Sequence, residues 1–285
     1  MALDDTWFSE PVPEHGTAFS LKIKKKLHEE QTPFQKIEVY ETETFGNLMV
    51  IDGCTMVSSR DNFIYHEMMA HPVLFSHAAP KRVLIIGGGD CGTLREVLKH
   101  PEVEQATQVD IDERVTRTSE RFFPELCESN GDPRARLAFA DGIKWVKDAE
   151  PGSLDVIIVD STDPVGPAEG LFGLPFFQDC FRALGPGGLL VQQSESPLLH
   201  TDKIIKPLHD TLRAAGFLDT MTLHFPECIY PTGWWTATMA CKDLPVMFAR
   251  EEQAEDKVFE TLYYNAAIHR ACGATPEFLR KALLG

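Results

Sequence analysis

Four aspartates, Asp90, Asp110, Asp141 and Asp160, each stand at or just past the end of an apolar run, and that placement is where chemistry enters this sequence. The first lies in residues 81–96. There Val83, Leu84, Ile85 and Ile86 read as a strand buried on both faces, and residues 93–98, with Leu94, Val97 and Leu98 at helical spacing, read as the helix that follows. Gly87, Gly89 and Gly92 between them fit G-x-G-x-x-G, whose glycines let a tight turn bring backbone N–H groups close to a ligand. Three readings of that turn are open: a dinucleotide site, a site for an adenosyl sulfonium, or close packing of a helix on a sheet. Asp90, inside the turn, bears on the choice, because a carboxylate there repels a pyrophosphate and suits a ligand carrying positive charge.

The other acids can each be given a chemical role. Asp110 lies 20 residues past Asp90, the spacing at which an acid ending the second strand accepts hydrogen bonds from ribose hydroxyls. Asp141, followed by Gly142, can accept from an exocyclic adenine amine while the glycine lets the base approach the backbone; a plain helix cap and turn is the competing reading. Asp160 opens the run DSTDPVGPAEG, in which Asp163 stands three residues on and Pro164, Gly166 and Pro167 make a stiff loop. Two carboxylates on such a loop suit a cationic amine: they bind its ammonium form and accept the proton it must lose before its lone pair can attack. A free amine has a pKa near ~10, so attack at neutral pH needs that help.

These acids need a scaffold that brings strand ends together. From Lys81 onward apolar runs alternate with helical stretches, the pattern of a parallel sheet with helices on both faces, and in such a sheet ligands sit outside the carboxyl ends of the strands. All four carboxylates are therefore expected to face one crevice. Residues 1–72 differ: LKIKKK and FQKIEVY alternate, and a short apolar run ends at Asp52-Gly53, a turn signal. A small antiparallel β domain is expected there, followed by a linking helix over about 62–75 that carries Tyr65, His66 and Glu67 just ahead of the glycine-rich strand. The division is drawn at residues 1–75 and 76–285.

Composition sets bounds on partners. With 27 Lys+Arg against 43 Asp+Glu, the net charge of −16 over 285 residues disfavours nucleic acid. The seven cysteines are scattered and lack a C-x-x-C pair, which points away from a disulfide framework or a zinc site and towards a reducing compartment. No run approaches the ~20 apolar residues of a membrane helix, so no membrane partner is expected and a cytoplasmic location is.

Taken together, GGGDCG at Gly87, DID at Asp110, DG at Asp141 and DSTDPVGP at Asp160 resemble the spermidine synthases of the aminopropyltransferase (polyamine synthase) family, and the likeness runs from TWFSE at Thr6 to YYNAAIH at Tyr263. The resemblance implies a small N-terminal β domain and a Rossmann-like, methyltransferase-type doubly wound domain, assembled as a homodimer or homotetramer. It implies transfer of the aminopropyl group of decarboxylated S-adenosylmethionine to putrescine, giving spermidine and 5′-methylthioadenosine. The nucleoside is then a co-substrate, and no cofactor or metal is called for, because a sulfonium is already an excellent leaving group.

Carried onto this chain, the resemblance makes Asp160 the residue that deprotonates the attacking amine, with Tyr65 beside it and Asp163 holding the diamine. Asp90 binds the donor's aminopropyl ammonium, next to the acceptor. Gln35, Asp110, Asp141 and Gly142 hold the nucleoside, with Gly87, Gly89 and Pro167 also on the donor's side. His66 contacts the donor's amine end or the acceptor, and Trp7, Tyr230 and Glu195 line the acceptor channel. Apolar aromatic walls along the methylenes and carboxylates at the ends are what a flexible diammonium chain wants. Ordinary adenosylmethionine carries a carboxylate that Asp90 repels, so the decarboxylated donor is favoured.

The chain departs from the family pattern at Cys91, where glycine is common, in CTMVSSRDN, where Gln and Glu are common, and at Trp234 and Trp235. These leave the preferred acceptor open among putrescine, cadaverine, agmatine and spermidine. Methyl transfer by the same fold and non-catalytic nucleoside binding remain the other function classes.

Overall fold

In the computed structural model, which describes residues 3–162 and 166–284, the alternating N-terminal segments pair into an antiparallel sheet of five strands in chain order. They are β1 (Trp7–Val12), β2 (Thr17–Gln31), β3 (Lys36–Thr42), β4 (Asn47–Ile51) and β5 (Cys54–Ser58). Register shifts in the β2–β3 pairing, between Ile23 and Lys25 and again between Lys26 and His28, break the long strand's ladder, and such bulges bend and twist a strand. Both faces of this sheet are used. Ile37, Val39, Met49, Ile51 and Val57 pack on Val115, Phe123 and Leu126 of the second sheet's layer, while Leu21, Tyr40, Leu48 and Val50 pack on Ile229.

The expected linking helix is α1 (Asn62–Ser76), and although it follows the first sheet in sequence it packs on the second. Beyond it come β6 (Arg82–Gly87), α2 (Gly92–Leu98), β7 (Gln105–Asp110), α3 (Glu113–Phe122), β8 (Ala135–Phe139), α4 (Gly142–Asp148), β9 (Leu154–Asp160), α5 (Leu174–Ala183) and β10 (Leu184–Gln193). The chain continues through α6 (Pro197–His200), α7 (Lys206–Ala215), β11 (Asp219–Pro226) and β12 (Trp234–Cys241), and three short helices, α8 (Glu251–Glu255), α9 (Ala266–Cys272) and α10 (Glu277–Leu284), follow.

The strand order of the second sheet is β11-β12-β10-β9-β6-β7-β8. The five strands β10, β9, β6, β7 and β8 are parallel, as their alternation with helices requires. The edge departs from the all-parallel expectation: β12 runs antiparallel to both β10 and β11. The short connection between β11 and β12 is too brief for a crossover, so those strands can only form a hairpin, and the sheet is mixed.

The apolar run of β6 shows why it reads as continuous. Val83 and Ile85 point into a core with α1 and α2, and Leu84 and Ile86 into a second core with α5 and α7 on the opposite face. The chain runs outward from β6 through β7 and β8, then returns to β9 on the other side of β6. The strand order therefore reverses between β6 and β9, and the crevice of an open α/β sheet lies at that reversal.

Candidate functional site

At the reversal the last residues of β6 and β9, Gly87 and Asp160, face each other in register. Gly87 has φ 81°, and a Cβ there would lie 2.2 Å from the carbonyl oxygen of Asp160, so only glycine lets the turn leave the sheet at this point. That same oxygen accepts the Gly88 N–H at 2.7 Å, locking the turn to β9. Gly89 continues it so closely over β7 that an added Cβ would meet Asp110 Oδ2 at 2.7 Å.

Asp90 then folds back. Its Oδ1 accepts the Gly92 N–H at 2.8 Å, and its Oδ2 lies 3.1 Å from Nε2 of the buried His66 on α1. A Cβ at Gly92 would sit 2.1 Å from His66 Cε1, so the third glycine of the motif makes room for that ring.

Asp160 is held by two hydroxyls: Tyr65 donates to Oδ1 at 2.7 Å and Thr93, at the start of α2, donates to Oδ2 at 2.6 Å. Both carboxylate oxygens are thus fixed in place. The electrostatics of the two acids differ. Burial raises the Asp160 carboxyl above its ordinary range, and the Asp90 charge adds to this. Burial opposes ionisation of Asp90 too, but the His66 charge and hydrogen bond outweigh it and hold that carboxyl low. His66 is correspondingly raised, the Asp90 charge prevailing over burial.

On the other side of the turn, Asp110 Oδ1 accepts the Asp112 N–H at 2.8 Å. Burial, with the charges of Asp112, Asp160 and Asp90, pushes the Asp110 carboxyl up to about 6 against that hydrogen bond. Gln35 reaches Asp112 and not Asp110: its Nε2 donates to Asp112 Oδ2 at 3.2 Å, beside the Thr32 hydroxyl at 2.7 Å. Asp90, Asp110 and Asp160 therefore share one field. Asp141 is exposed, and its Oδ1 caps α4 by accepting from Ile143 N at 2.9 Å and Lys144 N at 3.3 Å. Gly142, opening α4, is so close to β6 that a Cβ would lie 2.5 Å from Ile86 Cγ2. Pro167 lies in a 3-10 segment, Gly166–Phe172, whereas Asp163 and Pro164 fall outside the described residues.

Beside the Tyr65–Asp160 pair a cavity of about 180 Å³ opens between the two sheets. Its walls include Met56, Tyr65, Tyr230 and Trp235, with Ser161 and Thr162 following Asp160 and with Glu10 and Glu195 also on the lining. At this size it takes a short chain and is too small for a drug-sized ligand. Tyr230 is fixed by its hydroxyl, which donates to the Met56 carbonyl at 2.7 Å, and its ring centroid lies 5.9 Å from that of Tyr65. Glu195 is held in the left-handed region at φ 68°, its carbonyl accepting the Thr236 hydroxyl at 2.7 Å, and its Oε2 lies 3.5 Å from His200 Nδ1. Trp7, half-buried at the start of β1, is not among the lining residues; Trp235 supplies the indole there.

Sequence reasoning missed Thr93, Glu10 and the lining role of β5. Thr93 immediately follows the third motif glycine, and that position was the available signal. Cys54, Thr55 and Met56 lie in CTMVSSRDN, noted only as a departure, and all three line the cavity. Glu67, singled out beside Tyr65 and His66, works elsewhere. Its buried carboxylate accepts the N–H groups of Leu262, Tyr263 and Tyr264 at 2.8, 2.9 and 2.7 Å. Among the described residues no group of three or more His, Cys, Asp or Glu side chains is placed to hold a metal ion, and no helix is long and apolar enough to cross a membrane.

Comparison with known proteins adds to this geometry. Residues 62–250 match the family model of the spermine/spermidine synthase domain, and residues 6–58 match that of the spermidine synthase tetramerisation domain. A polyamine aminopropyltransferase of Thioalkalivibrio sulfidiphilus is 76% identical over 285 residues, covering 100% of both chains. That of Methylococcus capsulatus is 67% identical, covering 97% of this chain and 96% of the relative. The crystal structure of a spermidine synthase in complex with the transition-state analogue AdoDATO superposes with a TM-score of 0.93 at 33% identity, covering 99% of this chain and 96% of that one. The spermidine synthase of Thermotoga maritima gives 0.91 at the same identity and the same coverage.

Proposed function

This chain belongs to the spermine/spermidine synthase family, and from that premise we propose that it moves the aminopropyl group of decarboxylated S-adenosylmethionine to putrescine, releasing spermidine and 5′-methylthioadenosine. The observation that carries the reading is the Asp160 carboxylate, pinned by Tyr65 and Thr93 beside a short cavity with aromatic walls. In this mechanism Asp160 accepts a proton from the acceptor's ammonium, and its raised pKa makes it a better base than an ordinary carboxylate. The freed lone pair attacks the aminopropyl carbon bonded to sulfur. The C–S bond breaks with its electrons going to sulfur, so the sulfonium leaves as a neutral thioether and the attacking nitrogen becomes the new ammonium. Asp90, kept ionised by His66, binds the ammonium of the transferred group, and Asp110 takes the ribose hydroxyls.

Gln35, through Asp112, and the Asp141–Gly142 pair complete the donor side in this reading, along with Gly87, Gly89 and Pro167. Asp163, Tyr230 and Glu195 are assigned to the acceptor, and Trp7 is kept as a residue of the channel's approach. No metal or further cofactor enters the proposal. A boundary near residues 59–61 fits the packing of α1 better than the division at 75 and 76. A homodimer or homotetramer is proposed from the match of residues 6–58, and the cytoplasm as its location from the sequence.

The presence of Cys54, Thr55, Met56 and Trp235 on the cavity wall favours a second reading of the acceptor, with cadaverine, agmatine or spermidine in place of putrescine. The test is a panel of these amines with decarboxylated adenosylmethionine. Methylthioadenosine, greatest with putrescine, is the expected product. Adenosylhomocysteine formed from ordinary adenosylmethionine would replace the proposal with methyl transfer.

A further inference from the structure

Two cysteine thiols that aminopropyl transfer leaves unused meet at the glycine turn. Cys91 immediately follows Asp90, at the position where this chain departs from the family's glycine, and it keeps the left-handed backbone, φ 71°, that glycine favours. An L side chain in that region is strained and persists only where its surroundings hold it. The Cys91 side chain is fully buried and its contacts are polar: Gln108 Nε2 on β7 donates to Sγ at 3.6 Å, Sγ donates to the Gly89 carbonyl at 3.6 Å, and the Cys127 thiol hydrogen-bonds with it. Cys127, half-buried after the 3-10 turn Pro124–Leu126, has its Sγ 3.7 Å from the Asp90 carbonyl oxygen. The hydrogen bonds from Cys127 and Gln108 draw Cys91 towards its thiolate against burial, while the hydrogen bond with Cys91 keeps the proton on Cys127. A thiolate-prone sulfur facing a second, more accessible thiol is what a peroxide-sensing pair needs.

We infer that Cys91 and Cys127 form a reversible disulfide under hydrogen peroxide, and that this bond unseats Asp90, the group that holds the donor's ammonium in the aminopropyl-transfer reading on which the inference rests. The Cys91 thiolate attacks one oxygen of the peroxide: the S–O bond forms, the O–O bond breaks, and the departing hydroxide takes up the proton that Cys91 had shed. The Cys127 sulfur then attacks the sulfur of that sulfenic acid. The S–S bond forms, the S–O bond breaks, and hydroxide leaves with the Cys127 proton as water. Two thiols are thus oxidised to one disulfide and one peroxide is reduced to two waters. The bond draws the sulfurs from hydrogen-bond contact to about 2 Å and takes the thiol proton away from the Asp90 carbonyl. Asp90 shares a peptide bond with Cys91, so it moves with that sulfur. In a reducing compartment the pair stays open, and a disulfide there is transient and regulatory.

Wild-type protein treated with hydrogen peroxide and digested without reduction yields a peptide pair joined through Cys91 and Cys127, which dithiothreitol splits. Decarboxylated adenosylmethionine titrated into the oxidised protein, with no amine present, binds about 10- to 100-fold more weakly than into the reduced protein, the worth of one charged hydrogen bond, and dithiothreitol restores the affinity. Cys127→Ser keeps a hydroxyl for the Asp90 carbonyl, binds the donor as the wild type does, and loses no affinity to peroxide. Cys91→Gly, which suits the backbone at that position, is equally indifferent to peroxide and covers the case in which the serine variant does not fold. Absence of the linked peptides, or the same peroxide-induced loss in wild type and Cys127→Ser, overturns the pairing. Linked peptides with unchanged donor affinity overturn its coupling to Asp90. Failure of the reduced protein to bind the donor at all overturns the transfer reading instead, and the linked peptides still report on the two cysteines.

Discussion

Replacing Asp160 by Asn keeps the side chain's size and removes the proposed base, and the structure sets how large the effect should be. An aliphatic amine has a pKa of about 10.4, so at pH 7.4 only about one molecule in ~10³ is neutral. On the proposed mechanism wild-type Asp160 takes the proton inside the site; without it the variant depends on that pre-formed neutral fraction, and turnover should fall ~10²- to 10³-fold. The remaining rate should climb about tenfold per pH unit between pH 7 and 9, because the neutral fraction does, while the wild type stays nearly level. Methylthioadenosine release, followed by chromatography, reads both quantities.

Misfolding is not expected to mimic this result. Burial and the Asp90 charge raise the Asp160 carboxyl, so the folded state holds that proton more tightly than the unfolded chain, and stability is lost as pH rises from the unfolded value through the folded one. At neutral pH a neutral amide relieves that penalty. One of the two hydroxyl donors, Tyr65 or Thr93, must turn away from the amide nitrogen, at a cost of about 1 kcal/mol that offsets part of the relief. The variant should therefore melt close to or above the wild type and bind methylthioadenosine normally. A rate within tenfold of wild type at pH 7.4, or a variant profile as flat as the wild type's, would refute the reasoning.

Three further outcomes follow from the geometry. With Asp110 pushed up to about 6 and, in the proposed reading, ionised to accept ribose hydroxyls, affinity for methylthioadenosine measured by calorimetry should be about tenfold weaker at pH 5 than at pH 7, and Asp110→Asn should remove the dependence. Gly92→Ala places a methyl 2.1 Å from the His66 ring, so it should lower stability by about 1–3 kcal/mol and raise the donor's KM by displacing the partner of Asp90; an unshifted melt would contradict the packing. Glu67→Ala strips three backbone N–H groups of their acceptor and should cost at least about 3 kcal/mol in denaturant unfolding, with kcat of the folded protein nearly unchanged.

Features that depend on neighbours along the chain could be read from residue order alone. The β6 run, the glycine turn and α2 were legible because a doubly buried strand must be continuously apolar and because only glycines let the turn press against β9. The linking helix was equally clear, over residues 62–75 as against Asn62–Ser76. Features that depend on which strands become neighbours emerged only on folding. Asp141 follows a strand as Asp110 and Asp160 end theirs, yet it is exposed and caps α4, its strand β8 being the outermost one with a neighbour on one side only. Asp160 and Gly87, 73 positions apart, share a register only because the chain returns to pair β9 with β6. Glu10 meets the cavity for a similar reason: burying both faces of the first sheet carries β1 and β5 over the second sheet's crevice, and no pattern within residues 7–12 specifies that contact.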